Sequence, residues 1–299
     1  MLSQHPKVSV VIPTLFREKH CVLCVEDLMK QDYDNFEVII VEQEVKHPEV
    51  MDLAKRFPDK VSYYFGGEVS TMPRNRNIGV SYATGEIISF LDDDCRLPED
   101  FLSKGVAAFL SEPGLGAVSP KIVQPREALE VAPEGFVGRV SSYGKVMPNY
   151  GSSTKAYTQM SHGCSFFLKQ AFDEVGGFDE LYVGNAMREE SDFSMRVAKK
   201  GYKLLFEPAV EFIHVKAPMG GSRKKTDRMD WYFDFFHNDF LFFLKNLKWR
   251  WMPVFFASKA RPILACMFYY GKGKPRALAL PFKAYWAGYK TYKSEQKAA

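Results

Sequence analysis

The sequence is poor in cysteine, and its cysteines do not form a complete metal-binding set. Only five occur among 299 residues, at positions 21, 24, 95, 164 and 266. The odd number and the absence of a signal peptide favour a protein of the reducing cytoplasm. Cys21 and Cys24 have the C-x-x-C spacing of redox and zinc sites, but no second cysteine pair or histidine cluster accompanies them. We therefore interpret this pair as structural.

The sequence also lacks a hydrophobic run of the roughly 18 residues that a membrane span requires. Its most apolar stretch, residues 251–270, is interrupted by two prolines and by Lys259 and Arg261. We expect no transmembrane helix. The expected location is the cytoplasm, and association with the inner face of the cell membrane stays open.

Strong overall charge is absent too, but the net charge of +4 is unevenly distributed. After Asp239 the only acidic residue is Glu295, whereas Lys and Arg are frequent. This asymmetry predicts an anionic partner for the C-terminal part. Because no nucleic-acid-binding motif accompanies the charge, we do not expect that partner to be a nucleic acid. The content of 46% hydrophobic and 25% charged residues is ordinary for a globular protein.

The first 123 residues contain an alternation of strand and helix patterns. Short β-branched apolar runs are typical of buried strands, and segments with apolar residues at helical spacing lie between them. The predicted strands are 8–13, 36–41, 61–65, 86–91 and 115–123, and the predicted helices are 18–30, 49–57 and 73–82. This order predicts an α/β fold with a Rossmann-like, mostly parallel sheet flanked by helices.

The second half of the chain is less regular. Residues 124–161 are rich in Pro, Gly, Ser and Tyr, so we predict a long loop or flap. We then predict a strand at 164–168, helices at 169–175 and 190–200, strands at 202–206 and 210–214, and helices beyond 228. The chain divides into a main domain, residues 1–225, and a C-terminal helical extension, residues 226–299.

Polar residues follow three of the predicted strands, at 13–17, 42–44 and 92–94. Because the carboxyl ends of parallel strands share one edge, these segments predict a single ligand site. The three adjacent aspartates repel one another and need a cation. Mg²⁺ or Mn²⁺ fits, since both bind carboxylates and leave positions for phosphate oxygens. The alternative is a solvated acidic turn in which Asp94 caps the next helix.

Two further segments combine charge with a helix terminus. Arg74 and Arg76 open a predicted helix, where arginines and backbone N–H groups favour anions, although a solvated basic face is the alternative. Glu190 begins another helix and points inward with Phe193, which suits a general base. Acidic residues are also simply favoured in a first helical turn, and Asp192 is spaced to pair with Arg196.

His214 ends a predicted strand and is followed by a Gly-Gly-Ser-Arg loop that includes Arg223. A lone histidine at a strand end is usually a structural residue. A loop of this composition is also suited to closing over a diphosphate, so both interpretations stay open.

Six motifs occur in a fixed order. They are Val-Ser-Val-Val-Ile-Pro-Thr with Arg17, Glu-Val-Ile-Ile-Val-Glu, Arg-Asn-Arg-Asn-Ile-Gly, Phe-Leu-Asp-Asp-Asp, Gly-Gly-Phe-Asp-Glu and Glu-Glu-Ser-Asp-Phe-x-x-Arg. In this order they resemble the family 2 glycosyltransferases, which have the GT-A fold, over residues 7 to about 225. The resemblance implies an enzyme that transfers a sugar, with inversion, from a nucleotide donor to an acceptor hydroxyl in one displacement. UDP is the default nucleotide by family frequency.

The resemblance also implies roles for the donor side. Pro13, Thr14 and Arg17 would border the nucleotide, and Glu42 stands where the family usually has an Asp reading the base edge. Arg76 and Asn77 would lie near the base and the diphosphate, with Arg74 and Arg223 as further donor contacts. Asp93 would contact the ribose, Asp94 the metal, and Asp92 the metal's water shell or the donor sugar. His214 would add a metal or phosphate contact.

On the acceptor side, the resemblance implies that Glu190 is the catalytic base, at a position where Asp is more common. The longer side chain leaves Glu189 as an alternative, with Asp192 as a third candidate. Gly177, Phe178 and Asp179 would shape the acceptor floor. The expected partners are a nucleotide-sugar donor and a saccharide or lipid-linked acceptor, for a bacterial-type surface glycan or a glycolipid.

Three questions stay open from the sequence. The aromatic and basic extension suits a lipid headgroup layer, but it equally suits packing on the main domain or on a second subunit of a homo-oligomer. A nucleotidyltransferase would share the carboxylates but would need a Gly-rich phosphate loop, which Pro13 to Arg17 is not. A non-catalytic sugar-nucleotide or glycan-binding scaffold is the other alternative, and the intact carboxylates argue against it.

Overall fold

The computed structural model describes residues 2–123, 138–148, 151–217, 220–221 and 227–298. Arg223 and much of the predicted flap, residues 124–137 and 149–150, lie outside the described residues.

The N-terminal half forms parallel strands connected by helices. Strands β1 to β4 pair in the order β3-β2-β1-β4, all parallel. Their bounds are Val8–Thr14, Phe36–Glu42, Val61–Phe65 and Ile87–Phe90, and the intervening helices are α1 Glu18–Leu28, α2 Pro48–Arg56 and α3 Met72–Ser81. The predicted βαβ units are therefore confirmed.

The second half extends the same sheet. Its elements are β5 Cys95–Arg96, α4 Phe101–Ser111, β6 Leu115–Val123, β7 Arg139–Val140, β8 Val146–Met147, β9 Ala156–Tyr157, β10 Phe166–Leu168, α5 Lys169–Val175, α6 Glu189–Lys199 and β11 Lys203–His214. The full order is β3-β2-β1-β4-β10-β6-β11-β5, with β9 also paired to β11, and β10 runs antiparallel to both neighbours. Strands β7 and β8 pair with each other in a separate small sheet. The sheet is thus mostly parallel, as predicted.

β11 is one strand where the sequence predicts two. Its pairing with β6 shifts register between Glu207 and Glu211. Pro208 lies in this interval and cannot donate a ladder hydrogen bond, which accounts for the irregularity. The strand continues beyond it and ends at His214.

Both faces of the sheet are covered, which explains the continuous apolar strands. Val10 and Ile12 of β1 belong to a core shared with α1 and α4. Val11 of the same strand points to the other face and packs with Phe172 of α5 and Phe193 of α6. Helices on both sides thus hold the carboxyl ends of the strands in place.

The extension consists of helices around its own core. They are α7 Arg228–Asn246, a 3₁₀ turn Trp249–Trp251, α8 Met252–Ser258, α9 Ala260–Leu264, a π-helical segment Ala265–Tyr270 and α10 Pro275–Ala298. Phe236, Phe240 and Phe243 of α7 form a cluster with Phe255 and Tyr285. Among the described residues, no helix combines the length and the apolar character that crossing a membrane demands.

The extension is fixed to the main domain by polar contacts of α7. Lys245 donates to Asp179 at 2.5 Å, and Arg188 donates to Asp239 at 2.8 Å. Asp239 also pairs with Lys259 at 2.6 Å. One side of the extension therefore packs internally, which is one of the two arrangements that the sequence leaves open.

Candidate active site

The ends of β1 and β4 meet around the carboxylate of Asp93. Thr14 Oγ1 donates to Asp93 Oδ2 at 2.8 Å, and Arg17 Nη1 donates to Asp93 Oδ1 at 2.9 Å. Burial raises the pKa of Asp93 to about 7, against the opposing effect of Arg17. With only 2% of Asp93 exposed, its carboxylate is occupied by these partners and positions Arg17. The ribose contact that the sequence resemblance implies for Asp93 stays a prediction.

Glu42 also ends its strand beside Thr14, but the bonds of its carboxylate go to residues other than the aspartates. Its carboxylate accepts hydrogen bonds from the backbone N–H of His47 at 3.0 Å and from the Tyr63 hydroxyl at 2.7 Å. His47 Nδ1 lies 2.5 Å from it. Over the described ranges, no hydrogen bond or ion pair joins Glu42 to Asp92, Asp93 or Asp94. Sequence reasoning missed His47, which precedes α2 without any motif.

Asp92, Asp94 and His214 form a candidate metal site. His214 Nε2 lies 3.1 Å from Asp94 Oδ1 and 3.6 Å from Asp92 Oδ2, and one ligand atom from each residue falls within 4.8 Å of the others. Although burial opposes its charge, the two carboxylates raise the pKa of His214 to about 10. The protonated imidazole thus supplies the positive charge that the carboxylates need when they hold no metal.

The donor atoms fit a divalent cation. Asp94 Oδ1 is buried and accepts no hydrogen bond from the described residues, although His214 and Arg17 lie within 3.1 and 3.2 Å. Asp94 Oδ2 accepts from the backbone N–H of Ala217 at 2.8 Å, which fixes the carboxylate. Two carboxylate oxygens and an imidazole nitrogen form a donor set for a divalent cation.

Arg76 connects α3 to the same strand end. Its guanidinium is 2% exposed, donates to Glu189, and lies 3.6 Å from both Asp92 Oδ1 and Glu190 Oε1. It also stacks over the ring of Phe178, with the guanidinium carbon 5.1 Å from the centroid. The carboxylates raise its pKa despite its burial. Arg76 is therefore a buried cation shared by three carboxylates.

The neighbours of Arg76 on α3 lie elsewhere. The Asn77 amide donates to the Phe178 carbonyl at 2.9 Å and to Glu180 at 3.0 Å, and its oxygen accepts from the Phe178 N–H at 2.8 Å. Asn77 thus holds the loop that follows α5, and its contact with the donor stays a prediction. Arg74 is exposed on the first turn. Pro13 is buried inside β1.

Two adjacent glutamates at the start of α6 have different environments. The Glu189 side chain is 4% exposed and paired with Arg76, whereas the Glu190 side chain is 35% exposed, and both residues line the cleft. Burial raises the pKa of Glu189 to about 8 and also raises the pKa of Glu190, each opposed by Arg76. The sequence predicts that Glu190 points inward, but Glu189 is the deeper of the two.

Asp192 has a structural environment. It is fully buried and accepts from Arg196 Nε at 2.8 Å, as its spacing predicts, and from Asn246 Nδ2 at 2.6 Å. Because Asn246 belongs to α7, this carboxylate holds the extension to the main domain. It is not among the described residues that line the cleft, and its role as a candidate base stays a prediction.

The residues predicted as the acceptor floor lie behind the cleft. Phe178 is 3% exposed and packs against Phe193, with ring centroids 4.3 Å apart. The Gly177 carbonyl accepts from Arg196 at 2.8 Å, and Asp179 pairs with Lys245. None of the three is among the described residues that line the cleft, and their contact with an acceptor stays a prediction.

The cleft itself has a volume of about 620 Å³ and is bounded by several elements. Asp92, Arg76 and Glu190 contribute from the sheet edge, α3 and α6. Arg228 and Trp231 contribute from α7, so the extension forms one wall. The sequence places these two in a separate segment and gives no signal of which face α7 presents, which is why they are missed.

Gly163 is a further residue that sequence reasoning misses. A Cβ at this position would lie 2.3 Å from Arg76 Nη2 and 2.4 Å from Glu190 Oε1. The backbone therefore approaches both charged groups more closely than any side chain would allow. A glycine within the Ser-His-Gly-Cys sequence is the only signal.

The fold and this site define a GT-A protein. A mannosyltransferase from Pyrobaculum calidifontis, solved in complex with GDP-Man and Mn²⁺, superposes with a TM-score of 0.58 and 19% identity, covering 99% of this chain and 77% of that one. At this identity the likeness establishes the fold. Residues 9–176, more than half of the chain, match the model of glycosyl transferase family 2, and the chain belongs to that family. The resemblance read from the motifs is thereby confirmed.

Curated relatives support the same family. The chain is 24% identical over 235 residues to the glycosyltransferase AglE of Haloferax volcanii and 25% identical over 228 residues to the amylovoran biosynthesis glycosyltransferase AmsB of Erwinia amylovora. These matches cover 77% and 72% of this chain and 73% and 72% of the relatives. The O-antigen biosynthesis protein RfbC of Myxococcus xanthus is 23% identical over 221 residues, which is 70% of this chain but 17% of that longer protein.

Proposed function

We propose that the protein transfers a sugar, with inversion, from a nucleoside-diphosphate donor to a hydroxyl of a saccharide or lipid-linked acceptor. The observation that carries this proposal is the position of Glu190. Its carboxylate faces the cleft beside Asp92 and Arg76, at the edge where the parallel strands end. In sheets of this kind the ligand binds at that edge.

The proposed donor site contains charged side chains whose positions are fixed by contacts within the protein. Arg17 is fixed by Asp93 and by the Gly220 carbonyl, to which its Nη2 donates at 3.2 Å. It lies where β1 ends, next to the candidate metal residues. We assign the nucleotide to this edge, with Thr14 and Arg17 beside it and Arg76 near the diphosphate. Preorganised cations stabilise charge that develops during the reaction.

Asp92, Asp94 and His214 would hold Mn²⁺ or Mg²⁺. When bound, the ion would supply positive charge for the leaving nucleoside diphosphate. The fit rests on the donor set described above, and the Mn²⁺ complex of the Pyrobaculum calidifontis mannosyltransferase is consistent with it.

Glu190 is the proposed base. It is partly exposed, and its raised pKa makes it a better proton acceptor than an ordinary glutamate once it is ionised. The acceptor hydroxyl would lie between Glu190 and the α7 wall, where Trp231 offers an aromatic face and Arg228 a charge. Glu189 is held by Arg76 and would keep that guanidinium in place. A positioned base contributes about 10²–10⁴-fold to the rate.

The proposed pathway is glycan biosynthesis in the cytoplasm. Two relatives are named for O-antigen and amylovoran biosynthesis. A bacterial-type surface glycan or a glycolipid would therefore be the product. The acceptor would then be a growing saccharide, either free or attached to a lipid.

Thermal denaturation with a nucleotide panel tests the donor half of the proposal. UDP, GDP and their sugar conjugates are added with and without Mn²⁺ to the full chain and to Asp94→Ala. We expect one nucleotide to raise the Tm, more strongly with Mn²⁺, and the metal effect to disappear in Asp94→Ala. Stabilisation that ignores the metal and survives in Asp94→Ala would contradict the metal assignment. No response to any nucleotide would contradict the donor assignment.

A further inference from the structure

The extension has an apolar outer surface in addition to its apolar core. Six large hydrophobic side chains between residues 249 and 286 are more than half exposed, namely Trp249, Leu264, Phe268, Tyr269, Phe282 and Trp286. In the remainder of the described chain, only Val69 and Tyr157 reach that exposure. We call the exposed side of residues 249–293 the outer surface. A cluster of exposed apolar side chains typically marks a surface that binds a protein, a membrane or a ligand.

Helix α10 shows the pattern most clearly, because it is apolar on two separate faces. Its inner face, which includes Ala277, Leu280 and Ala284, is buried in the core of the extension. A second stripe, formed by Leu278, Phe282 and Trp286 at a spacing of four residues, is exposed. An ordinary surface helix is polar on the side away from its core. The second stripe therefore predicts a second partner.

The charges of the outer surface have one sign. From residue 240 to residue 294 the sequence has no Asp or Glu. Lys283, Lys290 and Lys293 are exposed beside the apolar stripe of α10, and the described part of the chain provides no carboxylate partner for them. Lys290 Nζ instead lies 5.5 Å from the centroid of the Trp286 ring. The partner must therefore have both an apolar region that contacts the aromatic side chains and negative charges that pair with the lysines.

We propose that the outer surface binds an anionic lipid bilayer. Trp and Tyr side chains suit the headgroup region, Phe and Leu enter the acyl boundary, and Lys and Arg pair with lipid phosphates. A second copy of the chain is a poorer partner. In a symmetric dimer the same surface meets itself, so its lysines would face one another without acidic residues to compensate them.

The outer surface adjoins the cleft. Arg228, which lines the cleft, stacks on Tyr270 at 4.8 Å from the ring centroid, and Tyr270 neighbours the exposed Tyr269. A bilayer on this surface would therefore lie next to the cleft mouth. This placement rests on the proposed function and favours a lipid-linked acceptor, whereas lipid binding itself does not depend on the chemistry.

Vesicle flotation of the full chain tests the proposal. One set of vesicles contains phosphatidylcholine alone, and the other contains about 30% phosphatidylglycerol, each at about 0.05 M and 0.5 M salt. We expect binding to the anionic vesicles that weakens at high salt. Phe282→Ser/Trp286→Ser should lower the partition coefficient by about tenfold or more, since two large apolar side chains no longer enter the bilayer.

Two further variants test whether the apolar effect is specific to the outer surface and how much the lysines contribute to binding. Val69→Ser removes an equally exposed apolar side chain outside the extension and should leave binding unchanged. Lys283→Gln/Lys290→Gln/Lys293→Gln should reduce binding to anionic vesicles and flatten its salt dependence. If the serine variant folds poorly, quenching of wild-type tryptophan fluorescence by brominated lipids gives the same information.

Three results would overturn the proposal. The first is an absence of vesicle binding at low salt, and the second is equal loss of binding in Val69→Ser. The third is a wild-type dimer, measured by light scattering, that dissociates in Phe282→Ser/Trp286→Ser, because the surface would then bind a second copy. Nucleotide binding, measured by thermal denaturation, is independent of all three, so failure here would not be confused with failure of the proposed function.

Discussion

Arg76 donates a hydrogen bond to Glu189, and this pairing separates the two adjacent glutamates at the start of α6. Glu189 is buried, whereas about a third of the Glu190 side chain is exposed to the cleft. The sequence alone cannot distinguish their roles, because both carboxylates lie in the same helical turn. This difference supports our proposal that Glu190 is the base and that Glu189 positions Arg76.

The close approach of Gly163 gives the first prediction. In Gly163→Ala the new Cβ would displace Arg76 and Glu190, because it would lie within 2.4 Å of both side chains. Misplacement of a catalytic group by about 1 Å can reduce the rate by about 10². We expect kcat to fall by about that factor while the Tm changes little, since the ends of two side chains move rather than the backbone.

Steady-state kinetics and thermal denaturation of Gly163→Ala check this prediction together. A wild-type kcat in a folded variant would show that neither side chain needs its present position. A large loss of Tm would instead indicate that the 163 backbone supports the fold.

The second prediction concerns Asp192. In Asp192→Asn the buried pairing with Arg196 loses its charge, while an amide can still bond to Asn246. We expect the free energy of unfolding to fall by about 1–3 kcal/mol. We expect kcat to stay close to the wild-type value, because Asp192 does not line the cleft.

Urea unfolding and single-turnover kinetics provide the two measurements. If kcat were lost while stability and nucleotide binding were retained, Asp192 would have to act in the reaction, and the assignment of the base would be wrong.

The third prediction is a pH dependence. Burial raises the pKa of Glu190, so the group stays protonated at pH values where an ordinary glutamate is ionised. Only the ionised form accepts a proton. The value of kcat/KM should therefore decrease as the pH falls through this raised pKa, with the acid limb above the usual range of glutamate.

A profile of kcat/KM against pH, at constant free Mn²⁺, tests this sign. An acid limb at or below the ordinary glutamate pKa would contradict it. Retention of the same limb in Glu190→Gln would assign the titration to another group.

The central sheet and the group of polar residues at its edge can be predicted from the sequence. The apolar pattern of the segments predicts parallel strands, and the geometry of a parallel sheet then places the polar residues. Apolar runs separated by helical segments require parallel strands, and parallel strands bring their carboxyl ends together. Thr14, Arg17 and Asp92–Asp94 therefore meet as predicted. The antiparallel direction of β10 does not follow, because a three-residue apolar strand carries no signal of its direction.

Burial within a helical turn and contacts between distant segments explain the remaining differences. Helical periodicity places Glu190 on the inward face with Phe193. Glu189 is nevertheless the more buried glutamate, because it pairs with Arg76, which is far away in the sequence. Asn77 and Asp192 belong to motifs that predict site residues, and no motif reveals the tertiary contacts by which they also hold a loop and α7. Trp231 lines the cleft because α7 packs against the main domain, and the sequence carries no signal of that packing.

A comparison of Glu190→Gln with its neighbour Glu189→Gln tests whether Glu190 is the base. Both changes remove one carboxylate and keep the shape of the side chain. Transfer kinetics and nucleotide affinity are measured for each. We predict that Glu190→Gln loses about 10²-fold or more in kcat with nucleotide affinity retained, and that Glu189→Gln keeps the larger share of activity. Near-normal turnover in Glu190→Gln, or the reverse order of the two variants, would contradict this prediction.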